Sequence, residues 1–148
     1  MEFKVCSSAF NQGGFLPEWY KAGNLNSSPP LGWACPPEGT ISLAVVCRSN
    51  ENRVHWVLWN IPADMDTIYG KLPQERELPG GLRQGLNDCA EIGWSGPARK
   101  DHELKLTVTM FALDRKLNRP QSDFTAADLI RAMDGHILGE ATLTCDCS

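Results

Sequence analysis

The side chains best suited to chemistry near neutral pH are three histidines, His55, His102 and His136, and the close pair Cys145-Asp146-Cys147. A histidine can move a proton or meet an anion. Two cysteines one residue apart can bind a metal or react with an oxidant. Each also has a plainer reading. His55 lies in the strand candidate 54–61, on one face with Val57, Trp59 and Ile61, where a core histidine satisfied by one hydrogen bond is favoured. His102 stands two residues before Leu104, so a strand reaching that far back points it inward with Leu104 and Leu106. His136 follows Gly135, where the negative end of a helix dipole makes it a cap rather than a reagent. Cys145 and Cys147 share a strand face near the chain end, where two incidental cysteines on a fraying strand are the safer reading.

Other chemistries lack their motifs. There is no Walker A loop, no Gly-x-Gly-x-x-Gly after a strand, no His-Glu-x-x-His and no Cys-x-x-Cys. Gly93-Trp94-Ser95-Gly96 lacks the spacing of a nucleophile elbow, which leaves Ser95 a loop residue. With no nucleophile beside a base, a hydrolase or a thiol-redox enzyme ranks last. No catalytic residue, metal or cofactor is assigned.

Elements must position these side chains. Period-2 patterning predicts strands over residues 2–7, 41–47, 54–61, 104–113 and 137–145. The second is apolar on both faces and reads as central. In the fourth, Leu104, Leu106, Val108 and Met110 face inward, while Lys105, Thr107 and Thr109 face out. Thr125 followed by Asp128 resembles a capping box, and Ala126, Leu129, Ile130 and Met133 make a helical stripe that Gly135 ends, so a helix is predicted over 126–134. A shorter helix or turn is expected over 64–69. Gly/Pro-rich loops fill 11–39 and 71–100, and loops that long are usually functional.

The 148 residues suit one domain with a real core, taken to span 1–148. A net charge of −4 argues against a general nucleic-acid binder. The longest apolar run, 41–47, is too short to span a bilayer, so no stable membrane insertion is expected. The first residues carry no apolar signal core, which implies a cytoplasmic protein with its six cysteines reduced. The sequon Asn26-Ser27-Ser28 is then read as chance.

Six strings now form one pattern: Asn26-Ser27-Ser28-Pro29-Pro30-Leu31-Gly32-Trp33; Pro37-Glu38-Gly39-Thr40-Ile41-Ser42; His55-Trp56-Val57 with Asn60-Ile61-Pro62-Ala63; Gly85-Leu86-Asn87-Asp88 with Gly93-Trp94-Ser95-Gly96-Pro97; Phe111-Ala112-Leu113-Asp114; and Ala132-Met133-Asp134-Gly135-His136-Ile137-Leu138. In order and spacing they resemble the bacterial branch of the phosphatidylethanolamine-binding proteins, also called Raf kinase inhibitor proteins. The resemblance covers essentially the whole chain. It implies a mainly β fold, a sandwich of two antiparallel sheets with a C-terminal helix, and a small anion-binding pocket at one end.

The family pocket combines an acidic D-P-D-A-P loop, the histidine of an H-W-V strand, a Gly-Pro loop and an H-R-Y strand start. Here His55 matches the strand histidine, and Gly96-Pro97 matches the Gly-Pro loop. Counting from Ser42, Ser49 and Glu51 take the places of the two acidic-loop aspartates. Counting back from Asp114 puts Leu104 at the H-R-Y histidine, with His102 two residues upstream on the same face. The ligand-binding set implied is His55, Ser49, Glu51, Gly96, Pro97 and His102. The function implied is a non-catalytic module for a small anionic ligand, a phosphate or carboxylate head group. The alternative is a protein-interaction module or a kinase or protease inhibitor whose partner the sequence does not name. A homodimer is allowed.

Overall fold

The structure is a computed structural model describing residues 2–98, 103–118 and 123–147. In chain order its elements are β1 (Lys4–Cys6), β2 (Leu31–Ala34), β3 (Ser42–Ser49), β4 (Val54–Pro62), β5 (Thr67–Ile68), β6 (Arg83–Gln84), β7 (Lys105–Leu113), α1 (Ala126–Met133) and β8 (Ile137–Asp146). Short 3-10 turns lie at Glu18–Tyr20 and Pro79–Gly81. Two antiparallel sheets result, β1-β2-β5 and β6-β4-β3-β7-β8.

The large sheet is covered on both faces, which is why β3 is apolar on both. One face packs toward the small sheet and its loops through Leu43, Val45, Cys47, Trp56, Leu106 and Met110. The other packs under α1 through Ala44, Val46, Val57, Trp59, Phe111 and Leu113. Thr125 and Asp128 form a reciprocal capping box at the start of α1. Ala126, Leu129 and Met133 are buried, but Ile130, expected in the stripe, is 43 % exposed. The main chain closes the helix, with the His136 N–H on the Met133 carbonyl at 2.9 Å and Gly135 at φ +80°. The His136 ring instead meets Asp114 Oδ1 at 3.1 Å.

Over 64–69, where the sequence predicts a short helix or a turn, Met65 closes a turn onto Pro62, and Thr67 and Ile68 pair with β2. Two expectations need correction. The segments 11–39 and 71–100 are not wholly loop, because β2 and β6 lie within them. Both strands are too short to show a period on their own and take their form from their neighbours. Finally, β4 is not an unbroken strand. Its register against β3 slips between Leu43 and Val45 and again between Cys47 and Arg48. Asn60, at φ +57°, is the extra residue at the first slip, and its side chain exchanges two hydrogen bonds with the Leu117 backbone. Ile61 therefore faces the small sheet while Val57 and Trp59 face α1.

Candidate functional site

His55 is the extra residue at the second slip. Trp56 pairs with Cys47 and Val54 with Arg48, so His55 faces no β3 partner. A bulge of this kind re-aims a side chain out of the regular alternation. The loop at 94–97 takes up the freed backbone: Ser95 N–H donates to the His55 carbonyl at 2.9 Å. In return His55 Nδ1 lies 2.7 Å from the Ser95 carbonyl. A carbonyl oxygen can only accept, so Nδ1 carries a proton. Nε2 is then a lone-pair site in the neutral ring and an N–H in the imidazolium. The imidazole is buried, 4 % exposed.

The loop is itself fixed. Trp94 stacks edge-on against Trp56 at 5.7 Å and donates its indole N–H to the Tyr20 carbonyl at 2.9 Å. Gly96 N–H donates to Asn26 Oδ1 at 2.7 Å, and the Pro97 carbonyl accepts from Ala22 N–H at 3.0 Å. A Cβ on Gly96 would stand 2.1 Å from the Tyr20 carbonyl oxygen, so only glycine fits.

Opposite lies the β3–β4 turn. Ser49 Oγ accepts from the N–H groups of Glu51 and Arg53, each at 3.2 Å, and Asn52 adopts φ +63°. The hydroxyl thus shapes the turn that presents Glu51 and Arg53. Arg53 reaches Cys89 Sγ with Nη2 at 3.1 Å. Asp88 Oδ2 accepts from Val54 N–H at 2.7 Å, tying the loop that carries Cys89 to β4.

Between these elements is a cavity of about 240 Å³, lined by Ser49, Glu51, Arg53, His55, Ser95 and Gly96, with Ala22, Cys89, Ala98 and Leu104 completing the wall. Four of the expected residues, His55, Ser49, Glu51 and Gly96, thus meet on one cavity. Pro97 is buried next to it and is not on its wall. His102 lies outside the described residues. The Gly96 N–H, which would suit an anion, is already given to Asn26. Sequence reasoning missed Arg53 and Cys89. Arg53 had a signal, since it precedes His55 by two residues; Cys89 had none, since the long loop that brings it here shows no period.

The cysteine pair is not on a frayed end. Cys145 and Cys147 are 2 % and 1 % exposed in the core between the sheets, and Cys147 N–H donates to the Leu104 carbonyl at 2.8 Å. Contact with Cys145 and burial push the Cys147 thiol well above its ordinary range. Burial does the same to Cys47.

A family model described as phosphatidylethanolamine-binding protein matches residues 6–148. The chain belongs to that family. It is 36 % identical over 139 residues to the UPF0098 protein of Methanothermobacter thermautotrophicus, covering 91 % of each chain. Two solved members share the fold. One is a phosphatidylethanolamine-binding protein homologue from Chlamydia trachomatis (TM-score 0.87, 26 % identity, 99 % of this chain and 97 % of that one). The other is E. coli YbcL, a member of the mammalian family (TM-score 0.84, 26 % identity, 100 % and 99 %). The two antiparallel sheets and C-terminal helix expected from the sequence are the fold of this family. Among the described residues no helix is long and apolar enough to cross a membrane.

Proposed function

We propose that this chain is a non-catalytic binding protein whose pocket at His55 takes a small anion, a phosphate or carboxylate head group. The reading rests on the pairing of His55 with Ser95, which fixes a buried imidazole by its Nδ1 on the wall of a cavity that also holds Arg53. A protonated imidazole and a guanidinium are the usual partners of such a group. Glu51 on the same wall opposes an anion. Ser49 contributes mainly by holding the turn. In the cytoplasm the thiols stay reduced, which suits six cysteines in one small domain. The test is calorimetric titration with inorganic phosphate and with sulfate. Saturable binding that His55→Ala removes supports the reading. Binding unchanged by His55→Ala, or none in the wild type, overturns it.

One observation favours the second reading, a protein-interaction module. Trp19, Leu25 and Tyr69 are 51 %, 71 % and 87 % exposed, and they line surface depressions that share Pro30 and do not include His55. Large exposed aromatic side chains are typical interface anchors. Capture of a partner by the wild type, lost in a Trp19→Asp/Tyr69→Asp double variant and kept in His55→Ala, would favour it over the anion reading.

A further inference from the structure

We propose that the part of the large sheet left bare by α1 is a second binding site, for a small carboxylate with a short apolar tail. The eight-residue α1 reaches about 12 Å, whereas the nine-residue β7 beneath it runs about 30 Å. The helix therefore covers one end of that face, where Leu129 and Met133 join Ala44, Val57 and Leu113 in one apolar cluster. Beyond it lies a depression of about 290 Å³. Strand register sets its floor: Arg48 lies opposite Thr107, and Val46 opposite Thr109, with Phe111 two residues further along β7. Alternate residues of a strand share a face, so the floor runs from a guanidinium, past two hydroxyls, to apolar side chains over roughly 13 Å. Ile130, the stripe residue that α1 leaves exposed, stands on the wall at the apolar end.

The polar groups at the other end are available. Arg48 is half-buried and, among the described residues, has no ion-pair or hydrogen-bond partner. The Thr107 and Thr109 hydroxyls have none there either, whereas that of Thr144, one strand further out, accepts from Gln12 Nε2 at 2.9 Å. Asn50 is already spent: its amide donates to the Glu103 carbonyl at 3.0 Å and accepts from Lys105 N–H at 3.1 Å. Among the described residues no Asp or Glu lines the depression. Glu140 pairs with Phe111 at the apolar end, where it repels a carboxylate and so directs the charge to Arg48. A half-buried guanidinium without a counter-ion offers its fork to a carboxylate. The threonine hydroxyls can donate to the same group, and Val46, Phe111 and Ile130 receive an apolar tail. The depression shares only Ser49 with the His55 cavity, so the two sites can be tested apart.

The experiment titrates octanoate into the full chain by calorimetry, with acetate and octylamine as controls. Saturable octanoate binding is expected. Acetate, which lacks the tail, and octylamine, which reverses the charge, should bind weaker by roughly tenfold or more. Arg48→Gln should weaken octanoate binding by about tenfold, the loss of a charge-assisted pair, and Arg48→Lys should recover part of it. Ile130→Asp, a change at an exposed position, places a carboxylate beside the tail and should weaken binding by a similar factor; it keeps the test open if Arg48→Gln fails to fold. His55→Ala should leave octanoate binding unchanged. No saturable binding in the wild type, binding unaltered in folded Arg48→Gln or in Ile130→Asp, or binding that His55→Ala removes overturns the proposal.

Discussion

His55 and Ser95 hold each other by two hydrogen bonds: Ser95 N–H reaches the His55 carbonyl at 2.9 Å, and His55 Nδ1 reaches the Ser95 carbonyl at 2.7 Å. Ring orientation and loop position are therefore one feature. A change that shifts the loop at 94–97 also turns the imidazole.

The first prediction follows from the proton on that ring. An anion favours the imidazolium, so binding draws in a proton and tightens as pH falls from mildly alkaline to mildly acidic. Sulfate stays fully ionised there and is the cleaner probe. Calorimetry from mildly alkaline to mildly acidic pH should show tighter binding at the acid end. His55→Ala should flatten the curve while leaving the circular dichroism spectrum unchanged. A steep curve in His55→Ala would assign the proton to another group.

Charge on the β3–β4 turn gives the second. Glu51 and Arg53 line the same cavity with opposite signs. Glu51→Gln should strengthen sulfate binding by roughly threefold, and Arg53→Gln should weaken it by a similar factor, the scale of screened pairs near a surface. Both effects should shrink in high salt. Equal affinities at low salt would place the anion outside this cavity.

Gly96→Ala tests the loop packing. The added methyl would meet the Tyr20 carbonyl oxygen at 2.1 Å, a main-chain atom that cannot swing aside. Forced overpacking of this kind costs about 1–3 kcal/mol. Chemical denaturation should show a loss in that range together with weaker anion binding. A stability within error of wild type would mean that the segment at 20–22 gives way freely.

The helix cap makes a separate, local prediction. Thr125→Ala removes the side-chain half of the capping box and should cost about 1 kcal/mol. Asp128 is held below its ordinary range, first by the Thr125 backbone N–H. A depressed folded pKa stabilises the protein above the unfolded carboxyl value, about 3.9, and that stability is lost as pH falls through the lower, folded value. The wild type should therefore lose more stability than Asp128→Asn between pH 5 and 2 by a small margin that denaturation curves resolve. Parallel losses would show that the cap does not titrate.

How far the site was legible depends on how local its causes are. His55, Ser49, Glu51 and Gly96 follow from matching short strings to one pattern, and all four meet on the cavity. The direction of His55 did not follow, because an alternating strand puts it with Val57, Trp59 and Ile61. The bulge that separates it from them depends on how β4 pairs with β3, and its own residues do not announce the slip. Arg53 was passed over although it precedes His55 by two residues, since a turn residue acquires a role from what faces it.

The sequence by itself determined the long strands, the capped helix and the two-sided burial of β3. These depend on period, composition and contacts within a few residues, which a chain carries wherever it folds. Only the tertiary structure decided the short strands β2, β5 and β6, the bulges at His55 and Asn60, and the burial of Cys145 and Cys147 behind Leu16 and Lys21. Each depends on a partner many positions away. Such pairings are chosen by the packing of the whole molecule, and no window of the sequence contains both halves.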